Sequence, residues 1–512
     1  SVDIEQLCTR LDGFPLSIEL AAAKSRVYSP AEMLQQLNDR FEFLSQPNRR
    51  QGIGLASLLD ALDWSFERLS EPDQKLLSRL SIFEGGFTLD AAEQDCGAVQ
   101  GGAQIESLIS SAWIESAPSI GASRFRLLES VRDYGADLLQ PRDRQKLEED
   151  HAYYFQKLAV QCAEASFTPE EPARHRQVQD DIHNIELAWN RLRTKDFEAT
   201  LDLLNGLYWY DILAGRASLA EMRMKEALSR VDLTPRVNLG RAYHNLGNFH
   251  LFQGRFAESV EWFTLANEMT RSCGDELFAG LSSCQLARAA AELGDAKLAE
   301  QHVADGIEFI KQVDGDNWMC AALVIKCLAA NRFGMVAVAL ESGREAVRYG
   351  RRGGYPWGLA SALNELAMAC HLDGDYTLAN TLQYESLDLK YQSRSHPSVA
   401  LSLADLTATL LAQGNVDKAR TTLKDCVRIL EELDEPELFP RLFANAAELL
   451  HNFGETEVAK CALAKFVELT NHRRMSASES ESFDSALRVV SAVKSVPPVN
   501  SATAIFAVIL RL

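Results

Sequence analysis

Leu246-Gly247-Asn248-Phe249-His250-Leu251-Phe252-Gln253-Gly254-Arg255-Phe256-Ala257-Glu258-Ser259-Val260-Glu261-Trp262-Phe263-Thr264-Leu265-Ala266 is the stretch that decides the fold. Ala242, Tyr243, Leu246 and Phe249 before Gly254, and Phe256, Val260 and Phe263 after it, recur at helical spacing and predict two amphipathic helices. Gly254 between them supplies the left-handed geometry that ends the first helix at low cost. Working outward, glycines return at 294, 334, 374, 414 and 454, forty residues apart without slippage. Five residues beyond each stands a small residue: Ser259, Ala299, Ala339, Ala379, Ala419 and Ala459. Twelve beyond stand Ala266, Gly306, Ala346, Ser386 and Cys426, a series that Phe466 breaks. A fixed period of this length means stacked helix pairs, each burying its apolar face against its neighbours. Gly215, Ala220 and Ala227 fit the same template one residue out of register and add a seventh pair.

The order Leu246-Gly247, Gly254, Phe256, Ser259, Phe263, Ala266 resembles the tetratricopeptide repeat, a helix–turn–helix unit of 34 residues. About six extra residues per repeat lengthen the second helix or its outgoing loop here. The resemblance implies an α-solenoid over residues 198–470 that binds partners rather than performing chemistry. Its first helices would line a concave groove, and the template places Arg241, His244, Asn248, Phe252, Arg288, Arg332, Asn364, His371, Glu448, His451 and Asn452 on that face. Asn amides suit a peptide backbone and Arg guanidinium groups suit carboxylates, so a protein or peptide partner is expected there, with a small-molecule inducer as a further possibility. Trp262, Trp318, Trp357 and Tyr376 read as packing between repeats rather than as stacking platforms.

The 512 residues carry a net charge of −20. That balance argues against general nucleic-acid binding, which needs a clustered positive surface. The ten cysteines include no C-x-x-C pair and fall mostly on apolar helical faces, predicting a reduced, cytoplasmic setting. No apolar run reaches the ~18 residues of a membrane span. No His-Glu-x-x-His or Gly-x-Ser-x-Gly motif occurs, so neither a zinc site nor a catalytic centre is expected. The chain opens on Ser1 within a helical pattern, as a piece of a longer protein does.

Residues 1–50 contain Leu11-Asp12-Gly13-Phe14-Pro15-Leu16 and then Ser29-Pro30-Ala31-Glu32, an N-cap with Pro at N1 and Glu at N3. Between 51 and 140, helices over Leu55–Leu69, Pro72–Phe83 and 104–113 precede a hairpin around Gly121 and a helix from Val131, with Thr88 capping a short helix. That is the element order of a winged-helix domain. The Gly13-Phe14-Pro15 segment resembles that of the STAND (NB-ARC-like) signalling ATPases, and Phe83-Glu84-Gly85-Gly86-Phe87-Thr88-Leu89 with Arg124–Tyr134 resembles the winged helix that follows it. The relatives implied are bacterial predicted ATPases and transcriptional activators with tetratricopeptide tails. In that family Gly13 and Pro15 would lie beside ATP or ADP, the proline near the adenine. The phosphate-binding loop is absent, however, with no Gly-Lys dipeptide anywhere, so the chain is expected to hold no cofactor by itself. Where many members place Met-His-Asp, this chain has Leu127-Leu128-Glu129.

Residues 141–197 read as a helical linker docking the winged helix onto the solenoid, and 471–512 as a capping helix near 481–494 with a loosely held tail. The expected role is the regulatory part of a STAND-type ATPase or transcriptional regulator, the solenoid sensing a partner and the winged helix relaying it; a free-standing adaptor is the alternative. DNA binding through 51–140 is disfavoured, because the helix at 104–113 has no Arg or Lys.

Overall fold

The computed structural model describes residues 2–10, 58–97, 101–117, 123–230, 236–313, 315–392, 396–431 and 440–470, with scattered positions between 18 and 36 and residues 486, 505 and 509. Helices dominate the described residues, with three short strands, so the chain is mainly α and its larger part is a solenoid. Gly13 and Pro15 lie outside the described residues, as does the helix expected at 481–494 apart from Ala486. Two compact units form: residues 1–161 with 175–203, and 162–174 with 204–512.

The first unit begins with α1 (Val2–Arg10) and α2 (Pro30–Gln36). The capping box before α2 is formed: the Ser29 amide donates to Glu32 Oε2 at 2.8 Å, and the Glu32 amide to Ser29 Oγ at 3.3 Å. Then follow α3 (Leu58–Phe66), α4 (Glu71–Leu80), β1 (Phe87–Thr88), α5 (Leu89–Cys96), α6 (Gly101–Ser110), β2 (Glu115–Ala117), β3 (Arg124–Arg126) and α7 (Glu129–Asp137). The hairpin pairs antiparallel with Ser116 opposite Phe125, and β1 joins its other edge with Phe87 opposite Phe125. Thr88 caps α5 by accepting from the Ala91 amide, as its position suggests. Phe83 stacks on Phe87 at 5.1 Å and Trp113 on Tyr134 at 6.0 Å, forming an aromatic core with the buried Leu76, Leu77 and Leu80.

The helices read as a linker are α8 (Pro141–Ala165), α9 (Glu171–Asp180) and α10 (Ile182–Leu192). Of these residues, 141–161 and 175–197 belong to the first unit and 162–174 to the second. Asn184 accepts from the Glu84 amide at 2.7 Å and donates to the Gly86 carbonyl at 2.8 Å, satisfying the backbone around the double-glycine break. Arg124 on β3 meets Asp181 at 2.7 Å, both side chains about 5% exposed.

The second unit carries the helix pairs α11 (Phe197–Leu213) with α12 (Ala217–Leu228), α13 (Val237–Phe252) with α14 (Phe256–Cys273), and α15 (Glu276–Glu292) with α16 (Ala296–Ile310). Further pairs are α17 (Asp316–Arg332) with α18 (Val336–Gly353), α19 (Pro356–Leu372) with α20 (Tyr376–Gln392), α21 (His396–Ala412) with α22 (Val416–Glu431), and α23 (Pro440–Asn452) with α24 (Thr456–Thr470). Every comb glycine has positive φ, between 68° at Gly334 and 84° at Gly374. At Gly254, Gly374, Gly414 and Gly454 an added Cβ would meet nothing within 4 Å, so backbone conformation rather than crowding demands glycine. The next residue closes each turn: Arg255 donates to His250 O, Asp375 to Cys370 O and Glu455 to Leu450 O, all at 2.9 Å.

The small residues five beyond the glycines are at most 1% exposed, which lets each second helix approach its partners. Gly247 serves the same end from the first helix: a Cβ there would stand 2.6 Å from the Phe263 ring. Phe466 breaks the small series where the regular repeats stop, and joins a core cluster with Ala486, Ile505 and Ile509. The last two are fully buried, so the expectation of a loosely held tail does not apply to them. Burying such branched side chains contributes roughly 1.5–3 kcal/mol each.

Candidate functional site

Five polar residues assigned by spacing to the concave face, Arg241, His244, Arg332, Asn364 and His371, are joined between adjacent first helices. Arg241 on α13 donates to Asp275 at 2.8 Å, just before α15, and its guanidinium lies 4.6 Å from the Phe278 ring centre. His244 Nδ1 lies 2.9 Å from Ser282 Oγ, and three repeats further His371 Nδ1 lies 3.1 Å from Thr409 Oγ1. Burial pushes the His244 pKa down to about 3, so the ring is neutral. Asn248 donates to the His244 carbonyl at 3.2 Å. Arg332 donates to Ala291 O at 2.8 Å and pairs with Glu292 at 3.0 Å. Asn364 donates to Asp405 at 3.1 Å and accepts from Ser402 at 2.9 Å. His451 is half-buried and Asn452 exposed at the end of α23.

Arg288 differs. Its guanidinium lies 5.5 Å from the Phe252 ring centre, and its Nε is buried with no hydrogen-bond partner among the described residues. Tyr208 on α11 and Glu365 on α19 both feel its charge. Arg288 therefore stands where first helices from several repeats converge.

Next to it lies a charged cluster that the groove template does not contain. Lys390, on second helix α20, is buried and donates to Ser402 Oγ at 2.6 Å. Burial pushes its pKa down to about 8 against the opposing pull of Asp405 and Glu365. Burial pushes the Glu365 carboxyl up to about 7, Asp405 adding to the rise, while Asn331, Lys390 and Arg288 oppose it. Asn331 holds Glu365 with bonds to its backbone carbonyl at 2.9 Å and its Oε2 at 3.1 Å.

A sequence signal for Lys390 exists. Sixteen residues past each comb glycine stand Thr270, Ile310, Gly350, Lys390, Leu430 and Thr470, and only one of these is charged. A lysine in a buried column needs partners, and the partners mark the site.

Among the described residues no group of three His, Cys, Asp or Glu is placed to hold a metal, and no helix is long and apolar enough to cross a membrane. In the first unit Leu128 takes the N-cap of α7 and makes no side-chain capping bond. The nine cysteines from Cys96 to Cys461 are free thiols.

Two stretches of the second unit match the family description Tetratricopeptide repeat, residues 240–273 and 358–432. These segments cover α13 with α14 and α19 through α22, the helix pairs that carry much of the site above. Among curated proteins, an uncharacterized protein of Mycobacterium tuberculosis is 37% identical over 145 residues, covering 27% of this chain and 37% of the relative. A protein of the same organism named "Putative HTH-type transcriptional regulator" is 32% identical over 234 residues, covering 43% of this chain and 25% of the relative. The chain thus spans about a third or less of the length of these relatives. Among solved structures, a Signal Transduction ATPase with Numerous Domains (STAND) protein with a tetratricopeptide repeat sensor from Pyrococcus horikoshii aligns at TM-score 0.48 and 15% identity. That alignment covers 93% of this chain and 72% of the other.

Proposed function

We propose that this chain is the regulatory, protein-interaction portion of a larger STAND-type signalling ATPase or transcriptional regulator. In this reading the repeats bind a protein or peptide partner on their first-helix face. Residues 51–140 act as a winged-helix module relaying that event to a nucleotide-binding domain outside this chain. The chain works by binding, without catalysis of its own.

The observation that carries the reading is Arg288: a guanidinium on the first-helix face, seated over Phe252, with a buried Nε that no described residue satisfies. Arg241 and Arg332, by contrast, are spent on holding repeats together. A cation in that position suits a ligand carboxylate, which accepts from a guanidinium through charge-assisted hydrogen bonds.

The test is an immobilised peptide array probed with the whole chain, each peptide present with a free and an amidated C-terminus. Binding that falls about 10–100-fold in Arg288→Ala is expected, since a hydrogen bond to a charged group contributes ~1.5–3 kcal/mol. Arg351→Ala, at an exposed pair with Glu385, leaves binding unchanged. Absence of any binding peptide, or equal binding by Arg288→Ala, overturns the reading. Titration with ATP and ADP tests the nucleotide assignment: micromolar affinity of this chain for either contradicts it.

A further inference from the structure

Residues 162–174 belong to the solenoid unit although they stand ahead of its helix pairs in sequence. Their contacts look like those of a ligand. The Phe167 ring sits in an aromatic box, with centroids 5.1 Å from Trp209, 5.1 Å from Trp318 and 5.3 Å from Tyr355. Asn317 donates to the Phe167 carbonyl at 2.8 Å. One turn on, the Glu171 carboxylate accepts from Trp209 Nε1 at 3.0 Å and from the Tyr355 hydroxyl at 3.0 Å. The receiving groups come from α11 and from the starts of α17 and α19, brought together by the winding of the solenoid. Between and around these two anchors, Pro169, Glu170, Pro172 and Ala173 are exposed.

We propose that this segment is a built-in occupant of a peptide-binding site on the repeats, whose external ligand is a peptide with an aromatic residue four positions before an acidic one. The proposal rests on the reading that the repeats bind peptides, and identifies one site and its ligand class. Recognition is of the kind expected for such a ligand: an aromatic anchor, a backbone carbonyl held by an Asn amide, and a carboxylate held by two side-chain donors.

Two features make the internal segment displaceable. Phe167 has φ 65°, a left-handed conformation that bulky residues seldom adopt and that strains the segment. Glu171 is 6% exposed and neutral donors hold it. Burial accordingly pushes its pKa up, a desolvation cost that the cage only partly offsets. The site also has a donor in reserve. Trp357 packs 5.0 Å from Trp209, and its indole N–H is buried without a hydrogen-bond partner among the described residues. A ligand free of the Phe167 backbone constraint, and supplying an acceptor for Trp357, has the advantage over the internal segment.

The experiment uses the whole chain, its Phe167→Ala/Glu171→Gln variant and a synthetic peptide with the sequence of residues 162–174, followed by tryptophan fluorescence and calorimetry. The variant, with helix content unchanged by circular dichroism, should bind the peptide saturably and at least tenfold more tightly than the wild type. A peptide with Ala in place of Phe167 should bind neither. A folded variant that does not bind, or equal binding by variant and wild type, overturns the proposal. Should the variant not fold, hydrogen exchange of the wild type decides. Excess peptide should speed exchange of the 166–171 amides as it displaces them, and unchanged exchange at saturating peptide overturns the proposal. If these arms fail while Arg288-dependent binding on the array persists, only the internal occupant is lost; if both fail, so is the peptide-binding reading.

Discussion

Lys390 donates to Ser402 across a repeat boundary at 2.6 Å, from a position where the other repeats place Thr270, Ile310, Gly350, Leu430 or Thr470. A charge in that column is tolerated because Asp405 and Glu365 lie near enough to oppose its desolvation. The cluster should make the solenoid's stability depend on pH. Glu365 has a folded-state pKa of about 7, above its ordinary 4.5. Its contribution to stability is therefore full below about pH 4.5 and is lost as pH rises through 7. Glu365→Gln removes that dependence. The unfolding temperature of the wild type, taken relative to Glu365→Gln, should fall between pH 5 and pH 8. Identical pH slopes for the two proteins contradict this.

Ala379 is fully buried on α20, five residues after Gly374. Ala379→Leu overpacks the contact and should cost ~1–3 kcal/mol. Its neighbour Asn380 is half-buried and donates to Gln413, so it is a poor control. Asp388→Ala, at an exposed position of the same helix, should be near neutral. In a solenoid each repeat contacts its neighbours, so hydrogen exchange should show the loss concentrated in α19 to α22. Equal unfolding midpoints for the two variants are the outcome that refutes this register.

Two glycines should fail for different reasons. Gly374→Ala places a Cβ in open space but forces a left-handed backbone, costing ~1–2 kcal/mol. Gly247→Ala keeps a helical backbone and drives its Cβ to 2.6 Å from the Phe263 ring, so Phe263 must move. Denaturant unfolding of the double variant Gly247→Ala/Phe263→Leu should recover stability relative to Gly247→Ala alone. The Phe263→Leu change should give no such relief to Gly374→Ala.

In the first unit, the buried Arg124–Asp181 pair ties β3 to the turn before α10. Arg124→Met alone strands a carboxylate and should cost ~3–5 kcal/mol. Adding Asp181→Leu should return much of that loss, because an apolar pair needs no desolvation. Thermal melts of the single and double variants check the order; a double variant less stable than the single one contradicts it.

The helix pairs, their forty-residue comb, the capping box at Ser29 and Glu32 and the two strands β2 and β3 were legible in the sequence, while Gly121 between them lies outside the described residues. Each depends on residues a few positions apart: a left-handed turn demands glycine, and a close helix approach demands a small side chain. These constraints act within one repeat and leave a periodic trace. The same spacing put Arg241, Arg288 and Arg332 on one face, but could not say which cations are spoken for. That depends on acids in neighbouring repeats, Asp275 and Glu292, which hold two of the three and leave Arg288. Lys390 was visible as an odd residue in its column, yet its partners on α19 and α21 are set by how the repeats stack. The box around Phe167 had no local signal at all. Glu171 and Tyr355 stand 184 residues apart and meet only because the solenoid curves, and curvature is a sum of small rotations between repeats that no single repeat encodes.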